Sequence, residues 1–231
     1  MPGLFITGTD TGVGKTFATA ALLHAMATLD LRALAMKPIA AGAELVDGVW
    51  INEDVAILEK AGNVSAPRDL VNPYLFREPL APHIAAERKG VRIEIPRIVD
   101  AFTELSNRSD WVLVEGVGGF RVPLDNQRDA ADLAVALGLP IVLVVGMRLG
   151  CLNHALLTAE AVAARGLRLA GWIANRIDPD MKAFDENLTT LQKRLPAPCL
   201  AVLPYLDDHA PEHAARLVPP KPLALWLKSL V

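Results

Sequence analysis

The chain has 231 residues, a formal net charge of −3 with acidic and basic side chains scattered along its length, and only two cysteines, Cys151 and Cys199. With no polybasic run there is no footprint for nucleic acid or a membrane surface, and two cysteines so far apart fit a reducing compartment rather than a disulfide framework or a local zinc knuckle. "MPGLFITG" lacks the basic and long apolar regions of a secretion signal, and "LPIVLVVGM" (139–147) is far too short to span a bilayer, so a cytoplasmic protein without a membrane anchor is expected.

In chain order, a short apolar run, "LFIT" (4–7), comes first and reads as a buried strand. A helical segment over 15–29 follows, then a strand "ALAM" (33–36), helical spacing over 53–61, 81–89 and 96–107, a strand "WVLVE" (111–115), a helix over 129–137, a strand "PIVLVV" (140–145), a helix over 153–165, a strand "LAGWIA" (169–174), a helix over 181–194 and a strand "CLAVL" (199–203). The apolar tail "PPKPLALWLKSLV" reads as a terminal helix. Strands that alternate with helices predict an α/β fold: a mostly parallel sheet of about seven strands with helices on both faces. No linker composition or internal repeat divides the chain, so one domain over 1–231 is expected. In open α/β sheets ligands bind beyond the carboxyl ends of the strands, which directs attention to the residues just after each run.

After the first strand comes "GTDTGVGKT" (8–16). A glycine-containing turn that opens a helix gathers backbone N–H groups into one concavity, and the helix dipole adds positive potential. Lys15 can then reach terminal phosphates and the Thr16 hydroxyl a Mg²⁺ ion. The usual G-x-x-x-x-G-K-[ST] spacing is not met, because Thr9 stands where its first glycine would fall and Gly8 lies one position early. Lys37 directly follows the second strand and faces the same pocket. Two lysines suit a reaction that builds negative charge on a transferring phosphoryl group, although a solvated strand-end lysine is the other reading. Mg²⁺ on a nucleotide takes a loop hydroxyl and one or two carboxylates. Glu115, after four apolar residues, is one candidate, with "EGVGG" (115–119) giving close backbone approach. Asp54, near a helix start, is either a second metal ligand or ordinary capping chemistry.

These stretches together resemble the dethiobiotin synthetases. "TGTDTGVGKT" (7–16) resembles that family's variant phosphate loop and "KPIAAG" (37–42) its catalytic-lysine segment. "VNPYLFREPLAPHIAAE" (71–87), "WVLVEGVGGFRVPL" (111–124), "LGLPIVLVVGMRLGCLNHALLTAE" (137–160) and "LAGWIANRI" (169–177) resemble its other blocks. The resemblance implies a P-loop NTPase-like fold and ATP-dependent ring closure of 7,8-diaminononanoate with CO₂, through a carbamate and a carbamic–phosphoric anhydride, to dethiobiotin, ADP and phosphate. It implies ATP contacts from Gly12, Val13, Gly14, Lys15, Thr16 and Phe17, from Asp54, from Glu115, Gly116, Val117 and Gly118, and from Asn175 and Arg176. Further contacts come from the P-aromatic-L segment Pro204, Tyr205 and Leu206 and from a ribose-proximal Glu212.

The same resemblance gives Mg²⁺ to Thr16, Asp54 and Glu115, and catalytic roles to Lys37, Thr11 and Lys15. Substrate contacts fall to Lys37 and Ala41 and, across a homodimer interface, to Gly150, Cys151, Leu152 and Asn153 of the second subunit. From the residues alone, 148–155 reads first as an ordinary capped helix with Cys151 as packing filler. Ala41 stands where many members carry serine, Gly12 where some carry glutamate, and Arg176 where an acid is frequent. A nucleotide switch resembling the ParA/MinD ATPases is the alternative. Those carry a lysine five positions before the loop lysine, where this chain has Asp10. A cobyrinate-amidating relative would need a glutaminase domain for which the chain has no room.

Overall fold

The structure, a computed structural model, describes residues 2–206 and 210–230. In chain order its elements are β1 (Gly3–Gly8), α1 (Lys15–Ala27), β2 (Ala33–Met36), β3 (Ile39–Ala41), β4 (Glu44–Val46), β5 (Val49–Ile51), α2 (Glu53–Ala61), α3 (Arg68–Val71), β6 (Tyr74–Phe76), α4 (Pro82–Lys89), α5 (Ile95–Ser106) and β7 (Trp111–Gly119). They continue with α6 (Ala130–Leu137), β8 (Ile141–Met147), α7 (Cys151–Ala164), β9 (Leu169–Arg176), α8 (Phe184–Arg194), β10 (Cys199–Leu203), α9 (Pro211–Ala215) and α10 (Pro220–Lys228).

Six strands form the main sheet in the order β10-β9-β8-β1-β7-β2, and every pairing in it is parallel. These are the six apolar runs of the sequence, one fewer than the expected seven. Two small two-stranded sheets stand apart: parallel β3-β6 and the antiparallel hairpin β4-β5.

The period-2 alternation of a strand explains the layering. In β1, Leu4 and Ile6 enter the core beneath α1, α2 and α10, while Phe5 enters the opposite core beneath α5 and α6. β7 repeats the split, with Trp111 and Leu113 on the first face and Val112 and Val114 on the second. Both faces of these strands are fully covered, which is why their sequences are continuous apolar runs. Each such side chain contributes roughly 1.5–3 kcal/mol through burial. Several strands run further than their apolar runs. β7 continues past Glu115 to Gly119, and β9 takes in Asn175 and Arg176. The tail forms α10 as expected, and the Trp226 indole N–H donates to the Ala170 carbonyl at 2.9 Å.

β2 is an edge strand, and an exposed edge invites pairing with another chain. Asn63 covers it. Its Oδ1 accepts from Ala33 N (2.8 Å), its Nδ2 donates to Leu31 O (2.8 Å), and its own main-chain N–H donates to Ala33 O (3.0 Å). Asn63→Ala is expected to lower the unfolding free energy by about 1–3 kcal/mol, because two main-chain groups lose their partners. Urea denaturation measures this, and a midpoint equal to that of the parent would remove Asn63 from that role.

Candidate active site

The carboxyl ends of β1, β2 and β7 open onto a cavity of about 690 Å³. The phosphate loop forms one wall and leads into α1. α1 starts from Gly14 in the left-handed region, with no side-chain cap and no acid in the first turn. The N–H groups at the start of such a helix remain available to a ligand. By contrast, α6 carries a full capping box from Asp129 and Asp132. Gly12 (φ 73) and Gly14 (φ 79) make the turn. Gly14 is also crowded: a Cβ there would lie 2.1 Å from Asn175 Nδ2, whereas one at Gly12 would meet nothing within 4 Å. Asn175, 5% exposed, donates through Nδ2 to the Val13 carbonyl at 3.0 Å and so braces the loop from below.

The charged groups meet at Glu115. Its side chain is fully buried in β7 next to Ile6 of β1, where the register between the two strands shifts. Oε1 accepts from the Thr16 hydroxyl (2.8 Å) and from the Lys37 ammonium (2.7 Å). Lys37 also bonds Asp54 Oδ2 at 2.5 Å. Lys15 donates to the Asp10 carbonyl at 3.1 Å. Burial pushes the Lys37 ammonium down, but Glu115 and Asp54 outweigh it and hold it above the ordinary lysine value. Lys15 is held below that value, by burial first and by the charge of Lys37, against the pull of Glu115. Burial raises Asp54, yet Lys37 brings it below the usual carboxylate range. Asp54 does not cap its helix. Asn52 does so, accepting from Val55 N at 3.3 Å, which leaves the aspartate free to face Lys37.

Buried carboxylates are normally satisfied on both oxygens. Glu115 Oε2 has no hydrogen-bond partner, although it is buried. A hydroxyl, a half-exposed aspartate and a carboxylate oxygen in want of a partner form the donor set that Mg²⁺ takes, with waters completing its octahedron. No cluster of three or more His, Cys, Asp or Glu suited to a metal occurs among the described residues. The donor set fits Mg²⁺.

The cavity wall includes Thr11, Gly12, Gly14, Lys15, Thr16, Phe17, Lys37, Ala41, Asp54, Glu115, Val117 and Gly118. Val13, 1% exposed, and Gly116, packed against the Phe5 ring, are not part of that wall. Pro204, Tyr205 and Leu206 lie outside the wall, as does Arg176, whose guanidinium stacks 5.0 Å from the Phe184 ring. Residues 207–209 of the expected adenine segment lie outside the described residues. Glu212 sits with His24 (3.8 Å) and Lys60 (3.9 Å), while its neighbour Pro211 reaches the cavity. Gly150, Cys151, Leu152 and Asn153 open α7 outside the cavity wall. That helix also starts on a left-handed glycine, Gly150, with no side-chain cap. Sequence reasoning missed Glu53, Ile57, Val122 and the Pro79–Pro82 turn, all of which line the cavity. The two prolines of that turn were the available signal for a rigid loop.

The fold is shared with MinD of Pyrococcus furiosus (19% identity, 100% of each chain, TM-score 0.61) and a ParA family ATPase of Chlorobium tepidum (17% identity, 98% of each chain, TM-score 0.56). An "AAA domain" family model matches residues 2–213. The ATP-dependent dethiobiotin synthetase BioD of Aromatoleum aromaticum is 56% identical over 211 residues, covering 91% of this chain and 94% of that protein. The chain belongs to the dethiobiotin synthetase family.

Asp10 stands five positions before the loop lysine. Its carboxylate here accepts from Arg148 at 2.8 Å. No helix among the described residues is long and apolar enough to cross a membrane. Gly14 closes on Asn175 beneath the loop, so Gly14→Ala is expected to weaken ATP binding at least about tenfold more than Gly12→Ala, which meets only the αL penalty of about 1–2 kcal/mol. Calorimetric titration with ATP separates the two. Equal losses would show that the close approach beneath the loop does not matter.

Proposed function

We propose that this chain is an ATP-dependent dethiobiotin synthetase that carboxylates 7,8-diaminononanoate with CO₂ and closes the ring, releasing ADP and phosphate. The observation that carries the reading is the meeting of Thr16, Lys37 and Asp54 around the buried Glu115, at the mouth of a phosphate-loop cavity, in a chain so similar to BioD. One amine of the diamine adds to CO₂ and loses a proton, giving a carbamate. A carbamate oxygen attacks the γ-phosphorus and ADP leaves. The second amine then attacks the carbamoyl carbon and expels phosphate, closing the urea ring.

In this reading Lys15 and the free N–H groups of α1 hold the β- and γ-phosphates. Lys37 and Thr11 face the carbamate and the phosphoryl group as it transfers. Lys37, kept charged by its two carboxylate neighbours, stabilises charge that grows in the transition state. Mg²⁺ would be held by Thr16, Asp54 and Glu115 and would neutralise charge on the triphosphate. Asn175 lies at the loop, where an adenine amide contact would form. Ala41 lines the cavity without a hydroxyl, so this side of the diamine meets an apolar wall. A cytoplasmic location is supported by two cysteines that remain free thiols.

The reading extends to a homodimer whose sites are shared. Its support is the exposed apolar surface beside the uncapped start of α7, where Leu149 is 96% exposed and Leu157 56%. An uncapped helix start there suits the substrate carboxylate of a second subunit.

Supplied with the diamine, bicarbonate and MgATP, the protein is expected to form one dethiobiotin per ADP. ATP turnover indifferent to the diamine and raised by DNA or lipid would instead favour the switch ATPase. Lys37→Ala should cut kcat by about 10²–10³ while ATP affinity changes little. In a second test, subunits carrying Lys37→Ala are mixed with subunits carrying Gly150→Val. Partial recovery of turnover is expected, and mixtures no more active than their parts would count against shared sites.

A further inference from the structure

We propose that two buried asparagines, Asn72 and Asn52, are positioning residues that hold Lys37 against Asp54 by clamping the two ends of β3. The proposal rests on the function above. Lys37 lies just beyond the last pair that joins β2 to the main sheet, Met36 with Val114. Past it the chain leaves for a separate two-stranded sheet, so the main ladder does not hold its backbone. Residues 71 and 72 take over. The Lys37 N–H donates to the Val71 carbonyl (2.9 Å), and the Lys37 carbonyl accepts from Asn72 Nδ2 (2.6 Å). The same amide donates to the Tyr74 carbonyl at 3.3 Å, and Tyr74 N–H donates to the Pro38 carbonyl at 3.0 Å. Asn72 is 8% exposed, so water is a poor substitute.

The far end of β3 is fixed in the same way. Asn52, 7% exposed, donates through Nδ2 to the Ala41 carbonyl (3.2 Å) and the Gly42 carbonyl (3.1 Å). Its Oδ1 caps α2, which carries Asp54 in its first turn. One amide therefore ties the catalytic lysine, just ahead of β3, to the start of β6, the strand β3 pairs with, and the other ties the end of β3 to the helix that presents the aspartate. The short Lys37–Asp54 contact at 2.5 Å closes this ring of connections. Preorganised groups lose their effect steeply with displacement, on the order of 10²-fold for about 1 Å. The positions of these two amides thus bear on rate, although neither reaches the cavity wall.

The test uses Asn72→Ala, the milder Asn72→Ser, and Asn52→Ser, in which serine keeps the capping oxygen but is too short to reach Ala41 and Gly42. Each is expected to lower kcat on the order of 10²-fold, with the Kd for ATP within about threefold of the parent. Adding Asn72→Ala to Lys37→Ala should change the residual rate less than about twofold, since residues acting through one another are not additive. An equal loss in both backgrounds, a parallel loss of ATP affinity, or an unchanged kcat overturns the proposal. If the parent protein forms no dethiobiotin, the function fails separately. Hydrogen exchange at the Lys37 amide then decides the clamp: acceleration above about tenfold in Asn72→Ser supports it and unchanged exchange overturns it.

Discussion

A carboxylate buried at the mouth of a parallel sheet is the constraint on which this molecule turns. Glu115 is wholly removed from water, and an isolated charge there would be prohibitive. It is tolerated because a lysine ammonium and a threonine hydroxyl reach the same oxygen. Each comes from a different strand mouth, Lys37 after β2 and Thr16 after β1. The sheet order that places β7 between β1 and β2 is therefore also what makes the buried acid possible. Asp54 and Lys15 complete the group, so two carboxylates face two ammonium ions around the loop.

The main features of this site could be read from the chain because its chemistry sits where apolar runs stop. Lys15, Thr16, Lys37 and Glu115 each adjoin a buried strand, and burial makes such runs conspicuous. Asp54 was ambiguous for a physical reason: an acid in a first helical turn has a ready role as a cap. Only the structure shows that Asn52 has taken that role. The end of β7 was misplaced at Glu115 because glycines carry no strand signal, yet Gly116 packs on Phe5 and the ladder continues to Gly119.

What remained hidden shares a cause. Strands of three residues, as in β3-β6 and β4-β5, are too short to show a period. A buried asparagine looks in sequence like a turn former, so Asn52 and Asn72 were passed over. Residues brought in by loop packing, such as Ile57 and the Pro79–Pro82 turn, have no pattern of their own. Glu212 was assigned from its segment alone, and in the fold it pairs with His24 and Lys60.

The placement of β1 bears on how the chain is made. This strand carries the phosphate loop, and its two neighbours, β7 and β8, begin only at Trp111 and Ile141. During translation at about 5–20 residues per second, the run around Phe5 emerges on the order of ten seconds before both partners exist. For that interval the nascent chain holds an apolar strand segment whose full ladder cannot yet form. The strand that organises the finished molecule is thus among the last to find its place, and a slow, nonlocal assembly step is built into the topology.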